Sequence, residues 1–159
     1  RASASAGRHD LRTPVPPVVD GLFRALSRIH ADRGLSLVLH GDAAHQVCCQ
    51  REDLEEMLGN LLDNGCRWAR SQVDVSLHPD GHTLRIVIDD DGHGVAPEWR
   101  TQVLQRGVRA DEQPPGHGLG LPITREMAEL YGGQLDLEAS PAGGLRAILR
   151  LPTAVAVEP

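Results

Sequence analysis

Apolar positions along the chain follow two periods. Val18, Val19, Leu22, Phe23, Leu26 and Ile29 recur at helical spacing and Gly34 supplies a stop, so a first helix is expected over about 18–33. Leu54, Met57, Leu58, Leu61, Leu62, Trp68 and Ala69 mark the apolar face of a second over about 51–70. A third is expected over about 119–131, ending at Gly132-Gly133, and a short one near 97–105. Alternation of period two appears at about 72–78 and 82–89, around Pro79-Asp80-Gly81, which is hairpin chemistry. It appears again at about 134–139 and 145–151, around the turn 140–144, while 35–40 reads as a further strand. Pro14, Pro16 and Pro17 break regular structure, so the segment before them is expected to be a linker or a short edge strand. The stretch from 41 to about 50 is expected to be irregular.

This order of elements predicts an α+β two-layer sandwich: a mixed, mostly antiparallel sheet of about five strands with three helices on one face. One domain is expected over about 15–152, with a linker at 1–14 and a disordered tail at 153–159. Composition agrees with a single soluble core, at 40% hydrophobic and 24% charged residues in 159. Aromatics are 3%, so the core must be aliphatic, with Phe23 and Trp68 as rare large fillers. A net charge of −6 without a basic patch argues against nucleic acid as a partner. No apolar run approaches the ~20 residues needed to span a bilayer, so the chain itself is not expected to insert in a membrane. Cys48, Cys49 and Cys66 lack a CxxC spacing, and the eight histidines form no zinc-ligand pattern, so a reduced, cytosolic setting without zinc is expected.

The second helix also carries a polar stripe. Glu56, Asn60, Asn64 and Arg67 fall within about 80° of one another on the helical wheel, beside the apolar face. Asparagine is a mediocre interior helix former, because its amide competes for backbone groups. Two of them one turn apart can ligate a hard cation through oxygen and donate to phosphate through nitrogen. A solvated polar face is the competing reading.

Two glycine loops follow. Strand 82–89 runs into Asp89-Asp90-Asp91-Gly92-His93-Gly94, where glycines let the backbone approach a ligand closely and a carboxylate can accept from an exocyclic amine. The three carboxylates could instead bind a divalent cation, although EF-hand spacing is absent. Gly116-His117-Gly118-Leu119-Gly120-Leu121 opens the third helix, offering free N–H groups and a positive dipole end to an anion. It is neither a Walker A loop nor a Rossmann fingerprint.

In that order, Asn60-Leu-Leu-Asp-Asn64, Asp90-x-Gly92-x-Gly94 and Gly116-x-Gly118-Leu-Gly120-Leu resemble the N box and two glycine boxes of the GHKL ATPases, in their histidine kinase branch. The resemblance covers about 15–151, and the Met57 to Trp68 segment is most similar to PhoQ-type kinases. Residues 103–111 look like the F-x-R-G-x-R-x-D segment between the glycine boxes, with Leu104 in place of Phe. The resemblance implies Mg-ATP as ligand and transfer of its γ-phosphoryl group to a histidine. It makes Asp90 the adenine acceptor with Gly92 and Gly94 shaping the base pocket, and Asn60 the Mg²⁺ ligand. It sets Asn64 and Arg67 along the phosphates, and gives Glu56 the polarising of the nucleophile. Residues 96–117 become a lid in which Arg106 and Arg109 reach phosphates and Arg109 assists transfer, while Gly116, His117, Gly118, Leu119 and Gly120 close over them. Two departures are His93, where Pro is common, and Gly65, where Ala is common.

The implied partners are the dimerisation/histidine-phosphotransfer domain of the same kinase and a response regulator. The implied setting is the cytoplasmic side of a membrane-bound homodimer. His9-Asp10-Leu11-Arg12-Thr13-Pro14 imitates the phosphoacceptor box, but the true box lies on a long helical hairpin, and Pro16-Pro17 follow at once. His9 is therefore expected to be a decoy, with the phosphoacceptor on an upstream helix. The rivals are a GHKL hydrolase or anti-sigma-type serine kinase, and a non-catalytic nucleotide-sensing domain.

Overall fold

The computed structural model describes residues 11–105 and 120–153. Strand β1, Thr13–Pro14, pairs antiparallel with β3, Gln46–Val47, in a two-stranded ribbon. The short edge strand is thus present, and its partner lies in the stretch expected to be irregular. Thr13 is buried and its hydroxyl donates to the Cys49 carbonyl at 2.5 Å, which pins the ribbon to the core. The Thr13–Pro14 end of the His9 motif is therefore extended; His9 itself lies outside the described residues.

Helix α1 spans Val15–Ile29 and begins three residues before the expected start. Pro16 and Pro17 do not break it, because they occupy its first turn, where an absent N–H costs nothing and a fixed φ suits the helix. It stops short of 33 because Ala31–Arg33 tightens into a 3-10 turn, closed by Gly34 at φ 59°. Strand β2, Ser36–His40, then leads to α2, Arg51–Trp68. Glu52 and Asp53 favour the positive end of α2. At the other end the Arg33 guanidinium donates to the carbonyls of Cys66, Arg67 and Ala69.

The remaining elements are β4, Gln72–Asp80; β5, Thr83–Asp90; the single turn α3, Pro97–Arg100; α4, Gly120–Leu130; β6, Gln134–Ala139; and β7, Leu145–Pro152. The five-stranded sheet has the order β2-β4-β5-β7-β6. Only the β2–β4 pair is parallel, as a crossover through α2 requires, and the others are antiparallel. Alternation sends Val73, Val75, Leu77, Leu84, Ile86, Ile88, Ala147, Leu149 and Leu151 into the core beneath α1, α2 and α4. Leu54, Leu58, Leu61 and Leu62 of α2 complete it, each at most 2% exposed. Full burial of one such side chain contributes about 1.5–3 kcal/mol. The opposite face is mostly polar, with Asp136 and Arg150 paired at 2.7 Å across β6 and β7, although Val87 and Ile148 lie buried side by side on it.

Candidate functional site

The three consecutive carboxylates at the end of β5 go to three different places. Asp89 points to the outer face and meets the Arg146 guanidinium in two bonds of 2.8 and 2.9 Å. Asp91 turns back to the α2–β4 junction, accepting from the backbone N–H groups of Arg70, Ser71 and Gln72 at 2.8–3.1 Å. Burial alone would raise the Asp91 carboxyl, but these donors and the Ser71 hydroxyl hold it down at about 2. Asp90 continues the inward row of Leu84, Ile86 and Ile88, so a charged group stands where the core pattern calls for an apolar one. The possibility of one cation held by all three is thereby removed. Among the described residues no cluster of three His, Cys, Asp or Glu side chains could hold a metal.

Asp90 is 3% exposed. Its Oδ1 accepts from the Gly92 N–H at 2.9 Å and the Leu145 N–H at 3.3 Å. Burial pushes its carboxyl above the usual carboxylate range, and the two backbone donors offset that only in part. Its Oδ2 has no hydrogen-bond partner among the described residues. Asn64, Trp68, Asp90, His93, Gly94, Val95 and Leu145 line a narrow slot around it. The Trp68 and His93 rings meet edge to face in that slot, 5.0 Å between centroids and 73° between planes. The imidazole Nδ1 of His93 donates to the Gly94 carbonyl at 2.7 Å, which fixes the ring.

Backbone packed against the carboxylate explains two glycines. A Cβ at Gly92 would lie 2.2 Å from the Trp68 carbonyl oxygen. A Cβ at Gly144, in the β6–β7 turn, would lie 2.0 Å from Asp90 Oδ1. Both positions must be glycine for the strand end, the α2 terminus and the distant turn to close on Asp90.

The polar stripe of α2 divides. Asn60 faces the start of α4, and its Nδ2 donates to Thr124 Oγ1 at 3.2 Å and, more weakly, to the Gly120 carbonyl at 3.5 Å. Its Oδ1 accepts nothing from the described residues. An oxygen donor left open in this way fits a hard cation that keeps oxygen ligands and also binds phosphate. Asn64 lies one turn further on, at the wall of the slot. Glu56 is exposed one turn before Asn60. Arg67 is also exposed and pairs with Asp63 at 3.0 Å, so it is not drawn into the slot. Arg106, Arg109, Gly116, His117, Gly118 and Leu119 lie outside the described residues, whereas Gly120 begins α4.

Sequence reasoning missed four participants. Trp68 was expected in the core, but it is the last residue of α2 and lines the slot half-buried. Gly144 and Leu145 reach Asp90 from 54 and 55 positions away, a contact that no local pattern reveals. Thr124 is wholly buried at the α2–α4 contact; a hydroxyl four residues after a helix-starting glycine was the available signal.

Known proteins resemble this chain over most of its length. The profile of the family described as histidine kinase-, DNA gyrase B- and HSP90-like ATPase matches residues 49–155. The sensor protein kinase CarS of Pseudomonas aeruginosa is 56% identical over 102 residues, which are 64% of this chain and 23% of that protein. The virulence sensor histidine kinase PhoQ of Salmonella typhimurium is 35% identical over 133 residues, 84% of this chain and 27% of that protein. The chain thus spans about a quarter of the length of these relatives. Among solved structures, the ATP binding domain of PrrB from Mycobacterium tuberculosis superposes with a TM-score of 0.75 at 27% identity, covering 90% of this chain and 96% of that one.

Proposed function

Since this chain belongs to the family of histidine kinase-, DNA gyrase B- and HSP90-like ATPases, we propose that it is the ATP-binding catalytic domain of a sensor histidine kinase. The observation that carries the reading is Asp90: a carboxylate buried to 3% exposure, anchored through Oδ1, with Oδ2 left to accept. An adenine amino group supplies the missing donor. Guanine presents a carbonyl at the corresponding position and would leave two acceptors facing each other, so ATP is preferred over GTP. The Trp68 and His93 rings, set edge to face beside Asp90, offer aromatic surface for a purine to pack against.

From the base the phosphates run along α2, past Asn64 toward Asn60. Asn60 Oδ1 would hold Mg²⁺, which when bound would draw charge from the phosphate oxygens. Arg106, Arg109 and the backbone amides of 116–120 add donors around the γ-phosphoryl group, and Arg67 can swing in because an exposed ion pair such as its bond to Asp63 contributes only about 0–1 kcal/mol. A histidine nitrogen on the dimerisation/phosphotransfer domain of the same kinase attacks the γ-phosphorus. The bond to the β–γ bridging oxygen breaks, ADP leaves, and exposed Glu56 takes the imidazole proton. A response-regulator aspartate then receives the phosphoryl group. The whole protein on this reading is a membrane-bound homodimer with this domain on its cytoplasmic side; no helix among the described residues is long and apolar enough to cross a membrane.

Calorimetry with Mg-ATP tests the site. Asp90→Asn keeps the shape but turns an acceptor into a donor, and loss of a charge-assisted bond of about 1.5–3 kcal/mol lowers affinity at least about tenfold. Unchanged affinity would remove Asp90 from the base site. With γ-labelled ATP, acid-labile label should appear on the histidine of a supplied phosphotransfer domain, and Asn60→Asp should slow its appearance.

A further inference from the structure

The contact between Asn60 and α4 has a direction built into it. Thr124 Oγ1 donates to the Gly120 carbonyl one turn back in its own helix, at 2.8 Å. Its single proton is committed, so toward Asn60 it presents only lone pairs. The Gly120 carbonyl beside it is likewise only an acceptor. The Asn60 amide must therefore turn its NH₂ toward α4, as it does at 3.2 Å from Oγ1. A flipped amide would set its oxygen against two acceptors in a contact where Thr124 is wholly buried. Oδ1 takes no part in these bonds, and it accepts nothing from the described residues.

We propose that Thr124 is a positioning residue: its hydroxyl locks the Asn60 amide in the one orientation that offers oxygen, rather than nitrogen, to the divalent cation of the nucleotide site. The proposal rests on the Mg-ATP reading above and adds a residue that touches neither cation nor nucleotide. An amide is a mediocre ligand when it rotates freely, because half of its orientations present a donor to the cation. Outer partners that fix a ligand's orientation commonly change metal affinity about 10–100-fold when removed. Threonine is also a costly choice here on local grounds, being β-branched and bonded back to its own helix, so its place at this contact calls for a reason beyond helix formation.

The test separates the metal-dependent part of nucleotide binding from the rest. The dissociation constant of ATP is measured by calorimetry with excess Mg²⁺ and again with EDTA, for the wild type, Thr124→Val and Thr124→Ser. Valine keeps the volume and removes the hydroxyl; serine keeps the hydroxyl. Expected is a wild-type affinity that Mg²⁺ strengthens, with that enhancement reduced about tenfold in Thr124→Val and restored in Thr124→Ser, while affinity in EDTA changes less than about twofold. In the nucleotide-free chain, the Asn60 side-chain amide protons should exchange faster with solvent in Thr124→Val than in the wild type, which needs no ligand. Equal weakening with and without Mg²⁺ would reduce Thr124 to packing and overturn the proposal, as would an unchanged enhancement. A wild type that binds no nucleotide would overturn the function reading itself, and this inference with it.

Discussion

Replacing Gly144 with alanine should damage the nucleotide site from the far end of the chain. Its φ is not positive, so an alanine is acceptable to the backbone in isolation; the obstacle is the neighbour. The new Cβ would stand 2.0 Å from Asp90 Oδ1, 2.5 Å from the Asp90 carbonyl oxygen and 2.7 Å from the Gly92 nitrogen, where ordinary contact begins at 3.4 Å. The turn must move by more than an ångström, which loosens the Leu145 N–H bond to Asp90 and the Ser140 N–H bond to the Gly144 carbonyl. Overpacking costs about 1–3 kcal/mol, and a buried carboxylate that loses a donor costs about 1–3 more. Together, about 2–6 kcal/mol lowers Tm by roughly 5–25 °C in a domain of this size. Nucleotide affinity should fall at least about tenfold, because the carboxylate that meets the base is no longer held. Gly143→Ala is the control: φ is +108° with nothing within 4 Å, so it strains the backbone without touching Asp90. It should cost about 1–2 kcal/mol and leave affinity unchanged. Thermal melts and calorimetry on both variants decide the matter. Wild-type affinity in Gly144→Ala, or a greater loss of affinity in Gly143→Ala, would refute the reasoning.

Gly65 in α2 makes the opposite case: its added Cβ would sit 3.4–3.8 Å from Val73 and Ile88, in ordinary contact. Gly65→Ala should therefore stabilise the domain by about 0.5–1 kcal/mol, and a lower Tm would show that α2 and the sheet leave less room than this. Asp91→Ala should cost about 1–2 kcal/mol at neutral pH, since it orphans the donors of 70–72. The carboxyl is held at about 2, below its ordinary 3.8, so its stabilisation is complete above pH ~4 and disappears as pH falls toward 2. Melts across that window should converge for variant and wild type, and a constant difference would contradict the assignment.

The architecture was legible because its elements are long and periodic: the β4–β5 hairpin, the β6–β7 hairpin and α2 all lie within two residues of their expected bounds. The prolines misled because a breaker inside a helix is harmless in its first turn, and the sequence around 14–17 does not say which turn it is. Strand β3 has two residues, whose partners lie 32 and 34 positions away, so no alternation could announce it. Asp90 stood out through the Asp90-x-Gly92-x-Gly94 spacing that follows the strand. Gly144 could not stand out, since its neighbour is a side chain from the other hairpin. Thr124 and Trp68 read as helix residues until α4 and the end of α2 are set against their neighbours.

The most direct measurement is a crystal structure of this chain with Mg²⁺ and a non-hydrolysable ATP analogue. The account predicts the adenine amino nitrogen within hydrogen-bonding distance, about 3 Å, of Asp90 Oδ2 and the metal on Asn60 Oδ1. A base seated away from the slot of Asn64, Trp68, Asp90 and His93, or a metal without Asn60 among its ligands, would contradict it.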